Sequence, residues 1–169
     1  MRIAVVGTGN VGAALGKRWA SGGHRVIFGT RDPRGAKVTA LLEGAGLHVI
    51  ECARADEGMG ASLACGVAAS AQAEGWIVAL ADMPWIDPAT IALVADAIRG
   101  GSDLVATSHI GVRGHPVGFA RQHYTALTAL VGDEGAKSIL ATHRDGLRLI
   151  EVADSGVLRD VDTRADIGT

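Results

Sequence analysis

Apolar residues run along this chain in short blocks divided by glycines, and the blocks alternate between two periods. Arg2 to Val6 is a compact apolar run ending in Gly-Thr-Gly, the punctuation of a buried strand that turns directly into a helix. From Val11 to Ala20 the apolar positions Val11, Ala14, Leu15 and Trp19 recur at helical spacing, and Gly22-Gly23 supplies the stop. His24 to Gly29 reads as the second strand. Asp32-Pro33 starts the next helix, with Val38, Leu41 and Leu42 as its buried stripe, and Leu47 to Cys52 resumes as the third strand. The alanine-rich stretch Met59 to Ala73 predicts a helix close to the sheet, and Trp76 to Ala81 a fourth strand covered on both faces. Asp87-Pro88 repeats the helix start, Ile91, Val94, Ala95 and Ile98 mark the buried side, and Gly100-Gly101 ends it. Leu104 to Ser108 predicts strand five. Tyr124, Leu127 and Leu130 form one amphipathic helix, Ala136 to His143 a shorter one, and Leu147 to Val152 the last strand. Strands alternating with helices of this length predict one α/β domain over residues 1–169, a three-layer, doubly wound, mostly parallel sheet.

Bulk properties narrow the partners. At 169 residues, 48% hydrophobic and 20% charged, the chain can bury a core without staples, and its 24 glycines fit many tight turns. A net charge of −2 and a pI near 6.3 give no basic field for nucleic acid or anionic lipid, so small-molecule partners are expected. No apolar run approaches the roughly 20 residues of a membrane span. The first strand starts at Arg2 with no room for a secretory signal, so a cytoplasmic location is expected. Cys52 and Cys65 lack redox or zinc spacing and are expected as free thiols in the core.

Chemistry first suggests itself at the opening turn. Gly7-Thr8-Gly9-Asn10-Val11-Gly12 fits G-x-G-x-x-G between a strand and a helix, where backbone N–H groups can face a diphosphate. NAD sites place an acid at the end of strand two; here Thr30 and Arg31 stand there, and a guanidinium suits a 2′-phosphate instead. Arg31 as a solvated loop cation is an equally simple reading. The segment MRIAVVGTGNVGAALGKRWASGGHRVIFGTRDP resembles the opening of the deazaflavin-dependent NADP oxidoreductase family. That resemblance implies NADP at Gly7, Gly9, Gly12, Thr30 and Arg31, covers residues 1–33, and stops there.

A second site lies at Asp82, beyond strand four. A carboxylate there can hold Mg²⁺ against nucleotide phosphates, or can simply form a turn. From about residue 35 to 169 the chain resembles the MobA-like nucleotidyltransferases, in particular the molybdenum cofactor cytidylyltransferases. GLHVIECARADEGMGASLACG, VALADMPWIDPATI, RGHPVGF, LTALVGDEGAKSIL and VLRDVDTRADI carry the likeness in order. It implies a Rossmann-like nucleotidyltransferase architecture, with Asp82 as Mg²⁺ ligand and Asp162 as a weaker second. It also implies Gly58, Met59, Ser62, Gly114, His115, Pro116, Gly132 and Asp133 around the substrates: CTP or GTP, with molybdopterin as acceptor. Those enzymes open on a longer loop of the type L-A-A-G-x-S-x-R-x-G followed by Lys. Here GTGNVGAALGK stands in its place, without an Arg and with Lys17 inside the predicted helix.

The two resemblances together describe a composite, in which a dinucleotide-type opening continues into a transferase-type remainder on one sheet. Three functions stay open: a Mg²⁺-dependent nucleotidyltransferase, an NADP-binding oxidoreductase, and a catalytically silent nucleotide-binding module. The six histidines show no metal-ligand spacing. Trp85 suits packing beneath the following helix better than walling a base pocket.

Overall fold

The computed structural model describes residues 2–6, 25–30, 48–80 and 82–161. Seven strands form one sheet in the order β3-β2-β1-β4-β6-β5-β7. They are β1 (Arg2–Val6), β2 (Arg25–Thr30), β3 (His48–Glu51), β4 (Gly75–Leu80), β5 (Leu104–His109), β6 (Val112–Ala120) and β7 (Leu147–Glu151). Every strand but β6 runs parallel to the rest, so the mostly parallel, doubly wound sheet expected from the alternating blocks is the one observed. The helices expected from Val11 and from Asp32 lie outside the described residues.

β6 is the strand that the hydrophobic pattern did not predict. The chain reverses after β5 through Ile110 and Gly111, both at positive φ (51° and 75°), the backbone of a tight two-residue hairpin turn. Ile-Gly is a poor spelling of that turn, because a β-branched residue resists positive φ. The chain then pairs antiparallel to both β4 and β5, wedged between them.

Four described helices cover the sheet: α1 (Met59–Ala68), α2 (Pro88–Arg99), α3 (Tyr124–Thr128) and α4 (Lys137–Thr142). Asp87 caps α2 by accepting from the Ala89 amide at 2.8 Å, with Pro88 at the first helical position, as the Asp-Pro signal predicts. α1 stops at Ala68, short of the expected Ala73. Ser70 gives its hydroxyl to the Gly66 carbonyl at 2.9 Å and receives the Trp76 indole N–H at 2.9 Å, so the segment turns towards β4 instead.

On one face, in-register rows Trp76, Phe119, Leu104, Leu147 and Val78, Val117, Ala106, Leu149 run from β4 across β6 and β5 to β7. Most of these side chains form a core with Leu63 and Val67 of α1, Leu127 of α3 and Leu140 of α4. α2 covers the other face. A Cβ on Gly118 would come within 2.7 Å of Val94 and 2.9 Å of Ile98, so only glycine lets that helix approach β6 this closely. Among the described residues no helix is long and apolar enough to cross a membrane.

Cys52 and Cys65, expected as free thiols, are joined in a disulfide with Cα atoms 5.8 Å apart. Their positions explain it: Cys52 directly follows β3, and Cys65 is on the turn of α1 that faces that strand end. Sequence spacing of 13 carries no such information, because the meeting is made by the β3-to-α1 crossover.

Candidate active site

β1 and β4 finish together, with Val6 paired to Leu80, so the chain leaves both strands at neighbouring points of one sheet edge. Asp82, exposed, lies two residues past the end of β4. Its backbone carbonyl accepts from the Val161 amide at 2.8 Å, which draws the C-terminal segment across the strand end.

That segment is anchored by one carboxylate. Asp154 accepts from the Asp87 amide at 2.8 Å, the Thr90 hydroxyl at 2.8 Å and the Gly156 amide at 2.9 Å. Trp85 then holds the Arg159 guanidinium 4.2 Å above its ring. The indole therefore engages the tail. Asp162 follows Val161 directly but lies outside the described residues, as do Arg31 and the loop Gly7, Thr8, Gly9, Asn10, Val11 and Gly12; Thr30 ends β2.

The motifs around Gly58 and Gly132, which are 74 positions apart, form a single clamp. The Gly60 amide donates to the Gly132 carbonyl at 2.8 Å, and the Met59 amide to Asp133 Oδ1 at 3.0 Å. Gly58 has φ of 127°, and a Cβ there would lie 2.6 Å from the carbonyl carbon of Gly132. Ser62 turns its hydroxyl back to the Gly58 carbonyl at 3.2 Å.

Between this clamp, β4, β6 and α4 lies a cavity of about 560 Å³. Its walls include Met59, Gly114, His115 and Asp133 from the expected set. Gly58, Ser62, Pro116 and Gly132 are not among its walls. Arg113, Glu134 and Lys137 line it too; the motif reading passed over them although Arg113 adjoins Gly114, Glu134 adjoins Asp133, and Lys137 lies in the same motif. Gly114 lets β6 meet the tail, since a Cβ would fall 2.2 Å from the Val157 carbonyl oxygen.

His115 links cavity and strand end. Burial pushes its imidazole below the ordinary value and Arg113 pushes the same way, against a hydrogen bond with the Val78 backbone and the Asp82 carboxylate. Its Nδ1 is buried with no partner among the described residues. The ring is thus held neutral beside Asp82, able to exchange a hydrogen bond with a ligand. A histidine whose folded value lies below its unfolded 6.5 stabilises fully above that pH and loses the contribution as pH falls through the folded value. Melting temperature should therefore drop as pH falls below about 6.5, and His115→Gln should flatten that slope.

Among the described residues no group of three or more His, Cys, Asp or Glu could hold a metal ion. One exposed carboxylate at a strand end nevertheless fits Mg²⁺, which takes one or two protein carboxylates and fills its remaining positions with water and phosphate oxygens.

Residues 12–147 match the MobA-like NTP transferase domain. The purine catabolism protein PucB of Bacillus subtilis is 36% identical over 121 residues; the match takes in 69% of this chain and 57% of that protein. The chain thus spans little more than half the length of this relative. The manganese complex of Rv0371c from Mycobacterium tuberculosis superposes with a TM-score of 0.71 at 25% identity, over 99% of this chain and 95% of that one. Molybdopterin-guanine dinucleotide biosynthesis protein A from Archaeoglobus fulgidus gives 0.59 at 15% identity, over 99% and 95%. The family match takes in residues 12–33, most of the segment read above as a dinucleotide-type opening, and none of these relatives supports the oxidoreductase half of that composite. With residues 12–147 matched, the chain belongs to the MobA-like NTP transferase family.

Proposed function

We propose that the chain transfers a nucleotidyl group from CTP or GTP to a phosphate-bearing acceptor of the molybdopterin type, with the acceptor in the cavity walled by His115, Asp133 and Lys137. The observation that carries this reading is that His115, in the wall of the cavity with Leu80 at the end of β4, interacts electrostatically with the Asp82 carboxylate two residues beyond that strand end. An acceptor phosphate oxygen attacks the α-phosphorus, the bond to the bridging oxygen breaks, and pyrophosphate leaves with that electron pair.

Such a transfer depends on positioning and charge neutralisation more than on covalent help from the protein. Asp82, with Asp162 as a second ligand, would hold Mg²⁺, which neutralises the phosphates when bound. The manganese in the complex of Rv0371c supports a divalent cation here. Arg113 and Lys137 attract the acceptor phosphate. The Gly58–Gly132 clamp keeps both sides of the cleft in register. The reduced opening loop, without an Arg, leaves triphosphate binding more dependent on the metal than on side chains.

Thermal melting with each nucleotide tests the reading. At 100 times its dissociation constant a ligand adds about 2.7 kcal/mol, which raises the midpoint by several degrees in a chain of this size. The shift is expected with CTP or GTP only when Mg²⁺ is present. The GTGNVG loop and Arg31 make NADPH the informative control: a shift with NADPH and none with either triphosphate would move the assignment to a dinucleotide.

A further inference from the structure

A second, outer groove of about 620 Å³ adjoins the cavity, lined by Arg113, Lys137, Leu140, Arg144, Leu147 and Leu149. Arg113, Lys137 and Leu140 border both spaces, so the two adjoin in a line that runs from the inner walls to Leu147 and Leu149 of β7. The charges divide unequally along it. The inner part has Asp133 and Glu134 among its walls, whereas three cations and no acid line the outer part.

None of the three cations takes part in an ion pair among the described residues. The carboxylate of β7, Glu151, is already engaged: it accepts from the Ser108 hydroxyl at 2.6 Å, and that bond, with the Ile110 and Gly111 backbone, holds it below the usual carboxylate range. The floor between the cations is apolar, and Leu149 is 51% exposed. Unpaired cations around an apolar floor match a ligand that is itself amphipathic, with a flat apolar body and an anionic end.

We propose that this outer groove, through Arg113, Lys137, Arg144, Leu147 and Leu149, is a distal subsite of the acceptor pocket. The acceptor it selects bears a second oxyanion, on an apolar body, in addition to the group that receives the nucleotide. The assignment of an acceptor to the inner cavity rests on the transferase reading; the chemistry of the outer groove is tested without it.

The probe is naphthyl phosphate, titrated into the full chain by fluorescence, against naphthol and inorganic phosphate as single-feature controls. Naphthyl phosphate should bind at least about tenfold more tightly than either control. Arg144→Gln should weaken it by roughly tenfold, and Arg144→Lys should restore most of the loss. Lys137→Gln is a second reporter should the first variant melt early. Naphthol binding as tightly as its phosphate, or an unchanged titration in both Gln variants, would overturn the subsite. A parallel titration of the wild-type chain with Mg²⁺ and CTP or GTP separates the two ideas. Charge-dependent naphthyl phosphate binding without triphosphate binding keeps the subsite and defeats the transferase reading; the opposite result does the reverse.

Discussion

Asp82→Asn is expected to weaken Mg²⁺-dependent binding of CTP or GTP by roughly a hundredfold, about 2.7 kcal/mol, while leaving the melting temperature of the free protein unchanged. Both halves follow from the position of the side chain. The carboxylate is exposed past the end of β4, and the bond that organises this corner is donated by the Val161 amide to the Asp82 backbone carbonyl, which the substitution keeps. Asparagine preserves size and removes only the charge that attracts the cation. Isothermal titration with and without Mg²⁺ reads the effect, and an equal affinity in the variant would remove Asp82 from the site.

Gly58→Ala carries the largest expected cost in stability, about 3 kcal/mol or more. Two penalties coincide. The residue sits at a φ of 127°, where a side chain is strained, and the added Cβ would press to 2.6 Å on the Gly132 carbonyl, which is backbone and cannot rotate aside. Relief requires parting the two strands of the clamp, which breaks the bonds from Gly60 to Gly132 and from Met59 to Asp133. The melting midpoint should fall by roughly 6 to 12 °C, and cavity ligands should be lost with it. Gly66→Ala is the control, because nothing lies within 4 Å of a Cβ there.

How far these features could be read from residues alone depends on what produced them. The parallel strands, the Asp-Pro cap of α2 and its Gly100 stop are local events, written in neighbouring residues, and the structure agrees with them. Gly58 and Gly132 are also legible, though their motifs show only that both matter; that they form one clamp is decided by the sheet between them. β6 went unread because its turn is Ile-Gly and its sequence, VRGHPVGFA, has glycine and proline where a strand is usually β-branched. Pairing on both sides overrides that poor local preference. The disulfide depends on the same kind of distant meeting. Arg113 and Lys137 carry no local signal of a role; the hairpin and α4 set them in the walls of one cavity.

Under the proposed transfer, Asp82 and the His115 cavity serve a single bound metal-nucleotide. NMR of the histidine side chains, with Mn²⁺ replacing Mg²⁺ and CTP or GTP present, measures that directly. His115 lies within the electrostatic reach of Asp82, whereas His123 follows the end of β6 that pairs with Gly75, at the opposite end of β4, roughly 17 Å or more away by strand rise. The prediction is nucleotide-dependent loss of the His115 signals, little change at His123, and no such contrast in Asp82→Asn. Equal broadening of both rings, or broadening of His115 that persists in the variant, would contradict it.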